Sequence, residues 1–247
     1  MQNEKLKAVI LAAGKGTRLQ TDGSTLPKVM RPANGRPLLA HVLASLDFLA
    51  PADIILVVGY KKECVLGAFP EYPYAVQSEQ LGTGHAVMAA FDTLGSFDGD
   101  VLICCGDMPL IKRETYRALA QEHLRAGNDC TILTGSSCED LPYGRILRDK
   151  NGSFTGVVED RDATPEQKQI RELNSGVYIF KTPKLRTVLS ELRSDNAQGE
   201  YYLTDAPLLM QKHGGKIGLC RRDLGYEIIG VNTPEQLCRV EALLRDE

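Results

Sequence analysis

The fold is decided by the stretch Lys7–Arg18, which reads KAVILAAGKGTR. Its first half, Lys7–Ala12, is a continuous apolar run, which is typical of a parallel strand buried on both faces. Its second half is rich in glycine and small residues, so its backbone can approach a ligand closely and offer N–H groups to phosphate oxygens. The stretch predicts a strand that leads into a phosphate-binding loop, and an ordinary tight turn is the alternative.

Two well-known phosphate motifs can be tested against this loop. Both the Walker loop and the dinucleotide-binding fingerprint require glycine at position 19, where this chain has Leu19. The loop is therefore of a third kind. Lys15 and Arg18 add positive charge to it, and Pro27-Lys28 follows downstream, where a fixed backbone angle and a point charge suit a phosphate group.

Outward from this stretch, apolar runs alternate with helical patterns. Asp53–Gly59 and Asp100–Cys105 are strand-like, whereas Pro37–Leu49, Gly84–Leu94 and Lys112–Ala126 carry apolar residues at helical spacing. This alternation predicts an α/β fold with a Rossmann-like, mostly parallel central sheet flanked by helices. Right-handed crossovers would align the carboxyl ends of the strands at one edge, where such sheets usually bind ligands.

The second half of the chain has a different pattern, with shorter strands and more turns. Strands are predicted at Cys130–Gly135, Arg145–Arg148, Phe154–Glu159, Gly176–Phe180 and Glu227–Val231, and helices at Pro183–Leu192, Tyr201–His213 and Thr233–Arg245. The last helix opens with a capping box, formed by Thr233 and Gln236, with Pro234 at its first position. Without a linker or a repeat, residues 1–247 are predicted to form a single domain with two lobes that meet near residue 127.

Composition excludes several classes of protein. The 247 residues carry 29 basic and 32 acidic side chains, a net charge of −3, which argues against nonspecific nucleic-acid binding. No stretch approaches the roughly 18 apolar residues of a membrane span, and the polar N-terminus does not resemble a signal peptide. The seven cysteines include no CxxC pair, which predicts reduced thiols, no zinc site and a cytoplasmic location.

Seven further segments share a family pattern with the first loop. They are Gln77–Ala86 (QSEQLGTGHA), Gly106–Ile111 (GDMPLI), Tyr143–Ile146 (YGRI), Val158–Thr164 (VEDRDAT), Leu173–Gly176 (LNSG), Asn196–Asp205 (NAQGEYYLTD) and Gly230–Asn232 (GVN). Together they resemble the sugar nucleotidyltransferase family, and within it the UDP-N-acetylglucosamine pyrophosphorylases, which form the N-terminal half of a bifunctional bacterial enzyme. The resemblance runs from Lys7 to about Leu244.

The resemblance implies a fold, a reaction and a set of partners. The fold is that of the nucleotide-diphospho-sugar transferases, with a nucleotide-binding lobe (about 1–127) and a smaller sugar-binding β lobe (about 128–247). The implied enzyme is a uridylyltransferase that joins UTP and N-acetyl-α-D-glucosamine 1-phosphate and releases diphosphate, with Mg²⁺ as its cofactor. Because a sugar phosphate is already ionised at neutral pH, its attack on the α-phosphorus needs no general base, and charge neutralisation becomes the main task.

The resemblance also implies residue roles. Arg18, Lys28 and Asp107 would be catalytic, with Arg18 and Lys28 on the triphosphate, and Asp107 and Asn232 would bind the metal. The nucleotide would contact Leu11, Ala12, Ala13, Gly14, Lys28, Gln77, Gly82 and Thr83, and the sugar phosphate would contact Gly144, Glu159, Asn174, Tyr202 and Thr204. Taken alone, an aspartate in the position of Asp107 is more often an N-cap or turn residue than a metal ligand, and a charged stretch such as Glu159–Asp162 is more often a solvated turn.

The chain departs from the family at three points. The spacer between Arg18 and Lys28 is long, Cys105 stands where many relatives have tyrosine, and no hexapeptide repeat occurs. We therefore expect neither acetyltransferase activity nor the trimer that accompanies it. We expect a monomer or a small homo-oligomer. The alternatives are transfer to another sugar phosphate or from another nucleotide, and a non-catalytic module that binds a nucleotide sugar. A nicotinamide-dependent oxidoreductase is disfavoured, because Leu19 interrupts the glycine pattern of the dinucleotide-binding fingerprint.

Overall fold

The computed structural model describes residues 6–245, except for the side chains of residues 20–22. The helices are α1 (Leu38–Ser45), α2 (Lys62–Ala68), α3 (Thr83–Leu94), α4 (Arg113–Ala126), α5 (Thr182–Leu189), α6 (Ala206–Lys212) and α7 (Pro234–Arg245). The strands are β1 (Leu6–Ala12), β2 (Pro32–Ala33), β3 (Arg36–Pro37), β4 (Ile54–Val58), β5 (Tyr74–Val76), β6 (Asp100–Cys105), β7 (Cys130–Ser137), β8 (Arg145–Arg148), β9 (Phe154–Val158), β10 (Leu173–Lys181) and β11 (Ile217–Gly225).

Within the described residues the main sheet has nine strands, with the path β11-β7-β10-β6-β1-β4-β5 and the hairpin β8-β9 attached to β10. The pairs of β1 with β4 and with β6 are parallel, as are β4 with β5 and β7 with β11. β10 is antiparallel to its three partners β6, β7 and β8, and β8 is antiparallel to β9. The predicted mostly parallel sheet is therefore confirmed. It runs from the first half of the chain into the second, while the boundary between lobes near residue 127 stays a prediction.

Helices cover both faces of this sheet because the side chains of its central strand alternate between them. Ala8 and Ile10 of β1 pack on the face that carries α1, α4 and α7, whereas Val9 packs on the face that carries α3, α5 and α6. All three side chains are fully buried. This two-sided burial explains why the sequence of β1 is continuously apolar rather than alternating.

The structure corrects several predicted elements. No strand covers Glu227–Val231, since residues 226–228 form a turn and the chain then runs without a ladder to α7. Ile228, Ile229 and Val231 are apolar because they are buried in the core, not because they pair in a sheet. The helix predicted over Tyr201–His213 begins only at Ala206, after a short 3₁₀ turn, and the one predicted over Pro37–Leu49 ends at Ser45.

Five elements were not predicted: α2, the short paired strands β2 and β3, and the edge strands β5 and β11. β11 exposes Arg221, Arg222 and Asp223, so its sequence lacks a clean alternation of apolar and polar residues. Charged residues of this kind protect a sheet edge from pairing with another chain. No helix within residues 6–245 has the length and apolar character needed to cross a membrane. The seven cysteines, all inside this range, are free thiols.

The parallel strands place their carboxyl ends at one edge. In the ladder, Ala12 is level with Val58 and Leu11 with Cys105. The glycine-rich loop after β1, the turn after β4 and the Gly106-Asp107 segment after β6 therefore leave the sheet side by side.

Candidate active site

The loop after β1 is held by backbone contacts with the two neighbouring strands. The Gly106 amide donates to the Leu11 carbonyl at 3.0 Å, and the Tyr60 amide donates to the Ala13 carbonyl at 3.2 Å. Gly16 has a left-handed φ of 68°, and a Cβ there would lie 2.8 Å from the Cβ of Lys28. Glycine at this position therefore allows the Lys28 segment to pack directly on the loop.

A cavity of about 240 Å³ opens beside this loop. Its lining contains most of the residues predicted to bind the nucleotide, namely Leu11, Ala13, Gly14, Lys28, Gln77, Gly82 and Thr83, together with Asp107. Ala12, which was also predicted to contact the nucleotide, does not line this cavity, because its side chain is buried in the hydrophobic core.

The Gln77 side chain is buried in this cavity wall and has a fixed orientation. Its Nε2 donates to the Gly82 carbonyl at 3.0 Å and lies 3.2 Å from Nδ1 of His85. Gly82 has a φ of 106°, and a Cβ there would lie 2.7 Å from the Tyr201 carbonyl. His85 thus takes part in orienting Gln77, a contact that no sequence pattern revealed.

Four charged or polar side chains meet between the loop and α7. Lys28 forms an ion pair with Asp107, and its Nζ donates to Oδ1 of Asn232 at 2.7 Å. Arg18 Nη2 lies 3.3 Å from the same Asn232 oxygen. The Lys28 and Asp107 side chains are each only 16% exposed. Residues that are up to 214 positions apart in the sequence are thereby brought to one point.

The segment 230–233, which carries Asn232, is held by hydrogen bonds to three other parts of the chain. The Val231 amide donates to the Asp107 carbonyl at 2.9 Å, and the Gly230 amide donates to the Tyr143 hydroxyl at 2.8 Å. Gln236 Oε1 accepts from the Asn232 amide at 2.7 Å and from the Thr233 amide at 3.2 Å. The Gln236 amide in turn lies 3.3 Å from the Thr233 hydroxyl, so the predicted capping box is confirmed, and it also holds Asn232.

A second cavity, of about 180 Å³, adjoins the first. Three residues predicted to bind the sugar phosphate line it: Gly144, Glu159 and Asn174. The Asn174 amide donates to the Gly144 carbonyl at 2.8 Å, and its Nδ2 donates to the Tyr178 hydroxyl at 2.7 Å. Burial raises the pKa of the Glu159 carboxyl, while the neighbouring Thr204 hydroxyl opposes that shift.

Tyr202 and Thr204, the other two residues predicted to bind the sugar phosphate, do not line the second cavity but contact residues near it. The Tyr202 hydroxyl donates to Oδ2 of Asp162 at 3.3 Å and accepts from Nε2 of Gln198 at 2.9 Å. Thr204 is buried beside Glu159. Sequence reasoning did not single out Gln198, whose role depends on the fold of the loop 196–202.

The two cavities meet at Asp107 and Cys105, which line both of them. Burial, and then the nearby Asp107 carboxylate, raise the pKa of the Cys105 thiol. The thiol is therefore neutral at physiological pH, and it presents a small, uncharged surface at the junction.

Residues 8–199 match the MobA-like NTP transferase domain. The chain belongs to this family. It is 44% identical over 245 residues to the bifunctional protein GlmU of Caldanaerobacter subterraneus subsp. tengcongensis, covering 98% of this chain and 52% of that protein. It is 42% identical over 240 residues to GlmU of Streptococcus suis, covering 96% and 51%. The chain thus spans about half the length of these curated relatives.

A solved structure shows the same fold. This structure, described as a candidate glucose-1-phosphate thymidylyltransferase from Bacillus anthracis, superposes with a TM-score of 0.74 at 22% sequence identity and covers 98% of this chain and 96% of that one. With the family match, it confirms the expected nucleotidyltransferase fold for this NTP transferase.

The donor chemistry of this NTP transferase domain fits a magnesium ion. Asp107 offers a carboxylate and Asn232 an amide oxygen, and the Lys28 ammonium contacts both residues, so the two side chains lie close together. Among the residues that the structure describes, no group of three or more His, Cys, Asp or Glu side chains could hold a metal ion. Mg²⁺ commonly uses one or two protein oxygens and completes its shell with substrate phosphates and water.

Proposed function

We propose that this NTP transferase is a uridylyltransferase that converts UTP and N-acetyl-α-D-glucosamine 1-phosphate to UDP-N-acetylglucosamine and diphosphate. One observation carries the proposal: two cavities adjoin at Asp107, one beside a glycine-rich loop and one beside Glu159 and Asn174. The Lys28 ammonium lies at the same point. An electrophile in the first cavity and a nucleophile in the second would meet there. The identity of about 40% to GlmU proteins supports the choice of substrates.

In the first cavity, Gln77 would read the base. Its Nε2 already faces the Gly82 carbonyl and His85, which leaves Oε1 to accept a hydrogen bond. Uracil offers an N–H donor on its edge, whereas cytosine presents an unprotonated ring nitrogen at the corresponding position. Leu11, Ala13 and Gly14 would cover the base and ribose. This arrangement favours UTP over CTP.

The transfer step follows from charge neutralisation. A phosphate oxygen of the sugar phosphate attacks the α-phosphorus in line, a new P–O bond forms, and the bond to the β-phosphate oxygen breaks as diphosphate leaves. Lys28 and Arg18 would bind the triphosphate oxygens, and they stabilise the negative charge of the transition state more than that of the ground state. Asp107 and Asn232 would hold Mg²⁺, which supplies further positive charge to the phosphates when bound.

In the second cavity, Glu159 and Asn174 would orient the sugar. Asn174 is fixed by Tyr178 and by the backbone of Gly144, so little side-chain freedom is lost when a sugar binds. A Cβ at position 144 would lie 3.0 Å from Cγ1 of Val157, so a residue larger than glycine would require the Val157 side chain to shift. Tyr202 and Thr204 would complete the site through Asp162 and Glu159.

Diphosphate release tests the proposal. Purified protein is assayed with Mg²⁺ while UTP, CTP, ATP, GTP and dTTP are each crossed with several sugar 1-phosphates. We expect release only with UTP and N-acetylglucosamine 1-phosphate. Release with a different pair would overturn the substrate assignment and keep the nucleotidyl transfer. No release with any pair from folded protein would contradict the proposal and favour a module that binds nucleotide sugars.

A further inference from the structure

The ammonium of Lys28 lies where a metal ion would contact this chain. It pairs with the Asp107 carboxylate and donates to the Asn232 amide oxygen at 2.7 Å. These two groups are also the ones whose oxygens suit Mg²⁺. A second cation, the Arg18 guanidinium, lies 3.3 Å from the same Asn232 oxygen. In the free protein the positive charge required by these oxygens is therefore supplied by the protein itself.

An ammonium and a divalent cation cannot share these oxygens. Their mutual repulsion is large at a separation of a few ångström in a partly buried site, and both Lys28 and Asp107 are largely buried. Each oxygen lone pair that accepts from Lys28 is also unavailable for coordination. A metal ion can contact both side chains only after the ammonium has moved away.

The structure lets the ammonium move while the base of the side chain stays fixed. Gly16 packs closely on Lys28, because a Cβ at position 16 would lie 2.8 Å from Cβ and 3.2 Å from Cγ of Lys28. The Arg31 amide donates to the Lys28 carbonyl at 3.1 Å. The remaining carbons of the side chain can rotate. Lys28 also lines the nucleotide cavity, so a triphosphate there would offer its ammonium a new anionic partner.

We propose that Lys28 occupies the metal position in the free protein and is drawn away by the triphosphate, so that the metal ion is bound tightly only together with the nucleotide. This inference rests on the proposed function for the identity of the nucleotide. Lys28 then has two roles in sequence: it neutralises Asp107 before substrate binds and neutralises the triphosphate afterwards. The consequence is counterintuitive, because removal of a catalytic lysine should strengthen metal binding.

The test is metal binding by the protein alone. Mn²⁺ serves as the probe, and the loss of its free electron paramagnetic resonance signal is titrated without nucleotide in the native protein and in Lys28→Met, Lys28→Arg and Lys15→Met. We expect Lys28→Met to bind Mn²⁺ at least about tenfold more tightly than the native protein, since the competing charge is gone. Lys28→Arg keeps the charge and should bind as weakly as the native protein.

Lys15→Met is the matched control for a general change of charge. Lys15 belongs to the same loop, and its ammonium lies 5.4 Å from the centre of the Tyr60 ring. Its substitution should leave Mn²⁺ affinity within about twofold of the native value. Adding Asp107→Asn to Lys28→Met should abolish the gain, which would assign the new binding to this site.

Two results would overturn the proposal. One is a Lys28→Met variant that binds Mn²⁺ no more tightly than Lys15→Met. The other is a native protein that, once the Mn²⁺ bound by UTP alone has been subtracted, binds Mn²⁺ equally well with and without UTP. Thermal unfolding of each variant establishes that it is folded, and Lys28→Gln replaces Lys28→Met if the latter is not. The Mn²⁺ titration needs no turnover. A failure of the proposed function would therefore appear in the diphosphate assay and would not change the result of the titration.

Discussion

Two aspartates at opposite ends of the same sheet, one buried and one partly buried, are neutralised by lysines in different ways. Asp107 follows the carboxyl end of β6, pairs with Lys28 and lines two cavities. Asp129 precedes β7 at the other end, where its oxygens accept from Lys181 Nζ at 3.0 Å, Lys184 Nζ at 2.6 Å and the Lys216 amide at 2.8 Å. One carboxylate has a partner that can leave, and the other is held by three donors.

The pKa of Asp129 reflects this difference. Burial would raise it, but the hydrogen bonds from Lys184, from the Lys216 backbone and from Lys181 lower it to about 2. Such a carboxylate contributes to stability and has little capacity left for a ligand. The comparison teaches that a buried Asp–Lys pair is a candidate functional site when its lysine also faces a cavity, and a structural one when backbone donors complete the shell.

The largest expected effect is on catalysis at Asp107. Asp107→Asn should lower kcat by about a thousandfold, because it removes both the charge that binds the metal and the partner of Lys28. Its midpoint of thermal unfolding should stay within about 3 °C of the native value. Steady-state diphosphate release and calorimetry measure the two quantities. The exposed Asp92→Asn serves as the control, and a kcat within about fivefold of native would refute the assignment.

The second effect is on stability at Asp129. Asp129→Asn should lower the free energy of unfolding by about 2 kcal/mol at pH 7, because the depressed pKa of Asp129 stabilises the folded state above its unfolded value of 3.8. This contribution is lost as the pH falls from 3.8 towards 2, so the native protein and the variant should converge there. Urea unfolding at several pH values measures the difference.

The Asp129→Asn variant is also assayed for catalysis. The variant should keep kcat within about twofold of the native value, since Asp129 lies at the opposite end of the sheet from the cavities. A large fall in kcat in a folded variant, or an equal loss of stability at pH 3 and pH 7, would remove the contrast between the two aspartates.

The smallest effect tests how Asn232 is held. Gln236→Leu removes the acceptor for the Asn232 and Thr233 amides, so kcat/KM should fall about tenfold and the Mg²⁺ concentration needed for half-maximal rate should rise. Gln236→Glu keeps an acceptor oxygen and should restore most of the activity. Glu241→Gln, later in the same helix and away from the capping box, is the control. If Gln236→Leu changes stability but not the Mg²⁺ dependence, Gln236 is only a helix cap.

Local sequence patterns predicted the parts of the fold that depend on near neighbours. The strand at Leu6–Ala12, the helix at Thr83–Leu94 and the capping box at Thr233 all follow from burial on defined faces or from contacts within one turn. The strand predicted over Glu227–Val231 was wrong, because burial alone makes a run apolar whether or not it pairs in a sheet. Pairing of β11 with β7 depends on residues about 90 positions apart, which no local pattern reports.

The sequence by itself determined the α/β class, the glycine-rich loop and the set of motif residues, because apolar periodicity, glycine content and residue type are properties of short segments. Only the tertiary structure decided that the Lys28 ammonium contacts both Asp107 and Asn232 and that Asp107 and Cys105 stand between two cavities. The physical reason is that the parallel sheet aligns the ends of distant strands, while hydrogen bonds to Asp107, Tyr143 and Gln236 fix the segment that carries Asn232.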